Sequence, residues 1–280
     1  MDILYELKKE GLRRGLSQRT IVTYAFCVRK FMQYCKKDWR KVTKKDIKDY
    51  MDVLVERGLT GSTLNVHLNA LKFVFEEILC KRIMLRIHYS KTPKTLPVFL
   101  TKEEVIRLFN AVENSTHKLI LELLYSAGLR VSEAVSLQKK DLEFERGIGW
   151  VRKGKGRKDR PFIIARCIAE KLKAHVAALC STPDSYLFPG RKGRHLHTRS
   201  VEVIVKQAAK RAGIEKHVHP HTLRHSFATH LIENGYDVAA VQPLLGHNSA
   251  ETTMVYVHAA SPAMIKVKSP YDELPESKSI

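Results

Sequence analysis

Several features that define large classes of protein are missing from this sequence. No apolar run reaches the about 18 residues of a membrane-spanning helix, and the start from Asp2 to Leu12 has no signal-peptide pattern. The five cysteines are odd in number and widely spaced, and they include no Cys-x-x-Cys pair. This usage disfavours both a disulfide framework and a zinc site. We therefore expect a folded, cytoplasmic chain with reduced thiols.

Positive charge is the first informative feature that is present. The 280 residues include 49 Lys and Arg against 29 Asp and Glu, which gives a net charge of +20 and a pI near 9.8. Residues 1–100 hold 21 basic and 10 acidic side chains, and the remainder holds 28 and 19. Because both halves are basic and no membrane segment is evident, a nucleic acid is the favoured partner.

The chain length predicts two domains, the first of which is all helical. Apolar residues recur at intervals of three and four from Ser17 to Lys37, after Thr43, and after Ser62, which is expected to cap a third helix. Thr43, followed by Asp46 three residues later, resembles a helix-start pair. The segment HYSKTPKTLPV carries two prolines and has linker composition. We therefore predict a DNA-binding amino-terminal domain at 1–88, a linker at 89–98, a second domain at 99–260 and a tail at 261–280.

The second domain is predicted to be mostly helical with a small antiparallel sheet. A helix begins at Thr101, with Glu104 three residues later, and an apolar helix ends at Gly128. Two strand-like runs, 149–152 and 161–164, flank the basic segment KGKGRKD and predict a hairpin. Further helices are predicted at 200–212, 222–234, 238–245 and 249–256, with Pro243 expected to kink or shorten the third of these. The fold class is therefore mainly α.

Residue types suited to metal-free phosphodiester cleavage recur in this domain. Such cleavage needs positive charge at the phosphate oxygens, a nucleophile and an acid for the leaving oxygen. GLRVSEAVSL places Arg130 three residues before Glu133, and HPHTLRHSFATHL places His221 and Arg224 on one helix face. His247 precedes Tyr256 by nine residues.

The segments GLRVSEAVSL, GKGRKDR, HTLRHSFATHL and LLGH followed by TTMVY resemble, in order and spacing, the motifs of the tyrosine recombinases, most closely the Xer type. The resemblance spans Leu4 to Tyr256 and includes a helical part similar to the family's core-binding domain. It implies that Arg130 and Arg224 clamp the scissile phosphate and that Tyr256 is the nucleophile. It also implies roles for four further residues: Lys155 as general acid, His221 and His247 as assisting groups, and Glu133 as the supporting carboxylate.

The resemblance further implies a reaction and a set of partners. A 3′-phosphotyrosine bond would conserve the energy of the phosphodiester, so that no ATP, metal or cofactor is required. Similar proteins act as a tetramer on two duplexes, with the tail region contacting a neighbouring protomer. DNA recombination at a Xer-type site, for the partition of chromosomes at cell division, is the favoured task, and participation of a second recombinase or regulatory protein is left open.

Other interpretations of the same residues stay open. A mobile-element integrase or inversion switch would use the same chemistry, as would a type IB topoisomerase, and a catalytically silent DNA-binding regulator would need only the basic helical part. Lys155 lies among four other basic residues, so a basic loop that tracks phosphates is an alternative, with Lys158 as the competing general acid. These four residues are Lys153, Arg157, Lys158 and Arg160. The spacing of His221 and His225 suits a metal, but no third ligand is evident.

Overall fold

The computed structural model describes residues 2–81, 83, 90, 97–152, 159–179 and 182–246. The chain divides into two compact units, Met1–Lys94 and Thr95–Ile280. Across the described ranges, no helix combines the length and apolar character that a membrane crossing requires. Most of the predicted linker, the tip of the predicted hairpin, the predicted helix at 249–256 and the tail lie outside the described residues.

The first unit is helical throughout its described part. Its helices are α1 (Ile3–Arg13), α2 (Gln18–Cys35), α3 (Lys44–Glu56) and α4 (Gly61–Lys72), and a π-helical segment, Phe73–Ile78, continues α4. The capping box expected from Thr43 and Asp46 is present at the start of α3. Ser62 as the cap of α4 was a wrong prediction, because the extended backbone at Thr60 lets its hydroxyl accept the Thr63 N–H at 3.5 Å.

Side chains of α2, α3, α4 and the π-helical segment form a hydrophobic core in this unit. Phe31 and Phe75 are fully buried and meet edge to face with ring centroids 6.1 Å apart. Burial of one such side chain contributes roughly 1.5–3 kcal/mol. The hydroxyl of Tyr50 is within 3.1 Å of Nδ1 of buried His67, which satisfies both polar groups inside this core.

The second unit is mainly helical with one small sheet in its described part, as the sequence predicts. Its helices are α5 (Lys102–Asn110), α6 (Ser115–Ser126), α7 (Val131–Ser136), α8 (Arg166–Ala178), α9 (Thr198–Arg211), α10 (Pro220–Glu233) and α11 (Val238–Leu245). The strands are β1 (Leu142–Glu143), β2 (Ile148–Val151) and β3 (Arg160–Ile163), in the antiparallel order β1-β2-β3.

The β2–β3 pairing confirms that the two strand-like runs adjoin, and it aligns Val151 with Arg160. Alternation along β3 buries Arg160 and Phe162 while Pro161 and Ile163 are exposed. A Cβ atom at Gly149 would lie 2.3 Å from the Phe162 ring, so the glycine makes room for this aromatic side chain. The sheet thereby presents one buried face to the core.

Helix α6 lies at the centre of the second unit and contacts α5, α7, α8, α9 and α10. Its residues from Leu119 to Leu124 are all buried, and the one carboxylate among them, Glu122, receives Lys171 Nζ at 2.8 Å. Tyr125 Oη lies 2.8 Å from Nδ1 of His230, which ties α6 to α10. An all-round apolar helix of this kind fixes its neighbours, including the two helices that carry the predicted arginines.

Candidate active site

The turn from α6 to α7 positions Arg130 and Glu133. Gly128 ends α6 in the left-handed conformation (φ +59°), and a Cβ there would lie 2.3 Å from the Phe227 ring. Arg130 is the N-cap residue of α7, where its N–H donates to Glu133 Oε2 at 2.8 Å and its Nη1 donates to Glu133 Oε1 at 2.8 Å. The three-residue spacing lets the Glu133 carboxylate reach back to the N-cap N–H and hold the guanidinium, while the Glu133 N–H donates to the Arg130 carbonyl at 2.9 Å.

The start of α10 positions His221 and Arg224. His219 Nδ1 accepts the Thr222 N–H at 3.2 Å, and Pro220 follows as the first helical residue. Arg224, 2% exposed, donates from Nη1 to the Gly128 carbonyl at 2.6 Å and from Nη2 to the Leu245 carbonyl. The structure therefore brings Arg224 to the turn that carries Arg130.

The carboxyl end of α11 is held by three arginines through three successive carbonyl groups. Arg160 Nη1 binds Leu244 O at 2.6 Å, Arg224 Nη2 binds Leu245 O, and Arg130 Nη2 approaches Gly246 O at 3.4 Å. These carbonyls have no partner within the helix and lie at its negative end, which favours cations. Pro243 does not end α11, which continues to Leu245 before Gly246 adopts φ +59°.

One buried carboxylate serves all three guanidinium groups. Arg160 Nη2 lies 2.6 Å from Glu133 Oε2, and Arg224 Nη1 lies 4.0 Å from the same atom. Burial raises the pKa of Glu133, but Arg160, Arg130 and the hydrogen bonds outweigh it, so that the pKa lies below its ordinary value. The carboxylate is charged at neutral pH, and the cluster keeps an excess of positive charge that suits a phosphate.

His221 adjoins this cluster and is the third in a row of four histidine rings. The centroids of His217, His219, His221 and His225 follow one another at 5.8, 6.2 and 6.4 Å. Burial and the charge of Arg224 lower the pKa of His221, which therefore is neutral at pH 7 and can accept a proton. In the described part of the chain, no three His, Cys, Asp or Glu side chains are grouped as metal ligands.

The structure thus brings together Arg130, Glu133 and Arg224, with His221 beside them. Lys155, His247 and Tyr256 lie outside the described residues. The sequence interpretation missed Arg160, which it placed in a basic loop, although the geometry puts it at the centre of the cluster. Side chains two residues apart in a strand share one face, so the apolar Phe162 was the signal in the sequence that Arg160 also faces inward.

Comparison with known proteins agrees with this geometry. A model described as the phage integrase family matches residues 98–262, and one described as the phage integrase N-terminal SAM-like domain matches residues 3–85. The two matched regions do not overlap, and residues 86–97 separate them.

Individual relatives match over most of the chain. The tyrosine recombinase XerA of Pyrococcus furiosus is 37% identical over 266 residues, covering 93% of this chain and 90% of the relative. The tyrosine recombinase XerD of Oceanobacillus iheyensis is 34% identical over 268 residues, covering 88% and 90%. A crystal structure of the XerH site-specific recombinase, bound to a palindromic difH substrate in a post-cleavage complex, has a TM-score of 0.73 at 26% identity and covers 96% and 85%. The chain therefore belongs to the phage integrase family of tyrosine recombinases, enzymes that cut and rejoin DNA.

Proposed function

We propose that this recombinase cleaves DNA with Tyr256 as the nucleophile and with Arg130 and Arg224 as the clamp on the scissile phosphate. The observation that carries the proposal is the convergence of both guanidinium groups on Glu133 and on the carbonyls that end α11. Arginine suits this role because its planar fork offers two donors to one phosphate and stays charged at any working pH.

The proposed step moves the phosphoryl group from the 5′ oxygen of the DNA to Tyr256, and one proton moves at the attacking oxygen and one at the leaving oxygen. Tyr256 Oη bonds to phosphorus, the bond to the 5′ oxygen breaks, and a 3′-phosphotyrosine remains. His221, neutral at pH 7, takes the tyrosine proton, and Lys155 gives a proton to the leaving 5′ oxygen. His247 adds a phosphate contact. Attack of a 5′ hydroxyl on the phosphotyrosine reverses the step and joins a strand.

For the physiological task, we propose resolution of chromosome dimers at a Xer-type site by a homotetramer on two duplexes. In this arrangement residues 1–88 grip DNA, residues 99–260 cut it, and the tail at 261–280 contacts a neighbouring protomer. The relatives named XerA and XerD, each covering at least 88% of this chain, support this task.

A mobile-element integrase is the second candidate, and a specific observation favours it. Two proteins described as integrase/recombinase, from Escherichia coli and Pseudomonas aeruginosa, are 32% identical over 98% of this chain. Their identity is close to that of the Xer-type relatives, and the same residues would perform either task.

Trapping on a nicked suicide duplex with a Xer-type site tests the chemistry. We expect the wild-type chain to give a covalent protein–DNA band on a denaturing gel, and Tyr256→Phe to bind the duplex but give no band. Tyr236→Phe is the matched control, since Tyr236 is 57% exposed in the turn between α10 and α11. An adduct that persists in Tyr256→Phe would assign the nucleophile elsewhere, and no adduct from tightly bound wild type would favour a silent regulator.

A further inference from the structure

Arg160 joins three segments that the proposed reaction uses. It begins β3, five residues after Lys155 in the sequence. One side of its guanidinium reaches Glu133 on α7, and the other reaches the last turn of α11, two residues before Gly246. Its side chain therefore connects the start of β3, the first turn of α7 and the end of α11.

The contacts of Arg160 have the geometry of a rigid bridge. Nη1 lies 2.6 Å from Leu244 O and Nη2 lies 2.6 Å from Glu133 Oε2, and the residue is 9% exposed. A planar guanidinium holds both donors at a fixed separation, whereas the ammonium of lysine is a single point on a flexible stem. Lysine at this position would keep the charge and lose the bridge.

Gly246 leaves room for the side chain of Arg160. A Cβ atom at position 246 would lie 2.7 Å from Arg160 Cδ and 2.8 Å from Nε. Nε itself is buried, with no hydrogen-bond partner among the described residues. The positive φ of Gly246 and the close approach of Arg160 both favour a residue without a side chain at this position.

We propose that Arg160 is a positioning residue for strand cleavage, acting through Glu133 on Arg130 and through Leu244 on the turn that leads to His247. Arg160 does not touch the phosphate in this scheme. It fixes the guanidinium of Arg130 and the end of α11 in the arrangement that the transition state requires. The inference rests on the proposed function, because it assigns a role within that reaction.

The test compares Arg160→Lys and Arg160→Met with wild type on the nicked Xer-type duplex. Two quantities are measured: the dissociation constant for the duplex, and the single-turnover rate of adduct formation at saturating protein. We expect both variants to keep the wild-type dissociation constant, while the rate falls by about 100-fold, the size of loss that small misplacement of catalytic groups causes. Arg146→Lys is the control, since Arg146 makes an exposed 3.0 Å pair with Glu143 in the same sheet region.

A second measurement asks whether Arg160 acts through Glu133. The loss of rate caused by Arg160→Met should be smaller in a Glu133→Gln background, because residues that share one network are not additive, and the loss that remains reports the route through Leu244. Full additivity of the two losses would overturn the route through Glu133.

The remaining outcomes distinguish failure of the inference from failure of the proposed function. A wild-type rate in Arg160→Lys would overturn the inference and leave the proposed function intact. Loss of the melting transition or of duplex binding in step with the rate would show a structural role only and would also overturn it. No adduct from wild type would overturn the proposed function, and the inference with it.

Discussion

At the scale of single residues, Glu133 is the counter-charge on which the arginine cluster depends. Its two oxygens receive Arg130 Nη1 at 2.8 Å and Arg160 Nη2 at 2.6 Å, and the side chain is 6% exposed. A buried charge that loses its partner keeps its desolvation cost without the compensating attraction. The stability of the second unit is therefore tied to the same carboxylate that orients the proposed clamp.

Replacement of Glu133 by alanine should lower the free energy of unfolding by about 3–5 kcal/mol, because it leaves Arg160 and Arg130 without their buried counter-charge. Urea denaturation followed by circular dichroism measures the change. Glu170→Ala is the matched control, since Glu170 is 83% exposed and pairs with Lys173 on the surface, where such pairs contribute about 0–1 kcal/mol. Equal losses in the two variants would contradict the account of Glu133 as a buried partner.

At the scale of elements, α10 carries the proposed clamp residue Arg224 together with His221 and His225, and His219 is its N-cap. Burial is the main cause that lowers the pKa of His225, to about 4, and the charges of His221, His219 and Arg224 add to it. An unfolded chain takes up the proton near pH 6.5, well before the folded chain does. Stability from this group is complete above pH 6.5 and is lost as the pH falls toward 4.

The variant His225→Gln should flatten the dependence of stability on pH in that window. Each proton bound only by the unfolded chain changes the free energy of unfolding by about 1.4 kcal/mol per pH unit, so the slope should fall by up to this amount between pH 6 and 5. His219, His221 and His230, whose pKa values are also lowered by burial, leave a residual slope in the variant. Urea denaturation at a series of pH values tests this, and identical slopes in the two proteins would count against it.

The elements that the sequence predicts well have local signals. The capping boxes of Thr43 with Asp46 and of Thr101 with Glu104 lie within one turn of chain, so their spacing alone is sufficient. Helix α8 was not predicted. Only its residues Ile168 and Leu172 are buried, and no side chain caps its start. A stripe of two apolar residues is too narrow to stand out from a basic surface.

In the site, contacts between residues close in sequence were predicted, and contacts between residues far apart in sequence were not. The pairing of Arg130 with Glu133 is local and was foreseen from the spacing of three. Arg160 was missed because its partners lie 27 and 84 residues away along the chain, and no short pattern encodes those contacts. The convergence of three arginines on the end of α11 likewise emerges only when α7, β3 and α10 pack together.

At the scale of the whole molecule, strand exchange requires more than the cleavage of one phosphodiester, because two duplexes must be held together. The net charge of +20 supplies attraction for DNA without distinguishing one duplex from two. A single clamp would cut and rejoin one strand, which is also the reaction of a type IB topoisomerase. Exchange requires contact between protomers, and we propose that the tail at 261–280 supplies it.

Deletion of residues 261–280 should therefore separate cutting from exchange. We expect the truncated chain to form the Tyr256 adduct on a single nicked duplex and to lose resolution of a supercoiled plasmid with two directly repeated Xer-type sites into two circles. Full-length Tyr256→Phe should fail in both assays. Truncated protein that resolves the plasmid as well as the full chain would remove the tail from the protomer contact. Full-length protein that relaxes the plasmid without resolving it would instead indicate topoisomerase action, because relaxation needs one clamp and resolution needs an assembly.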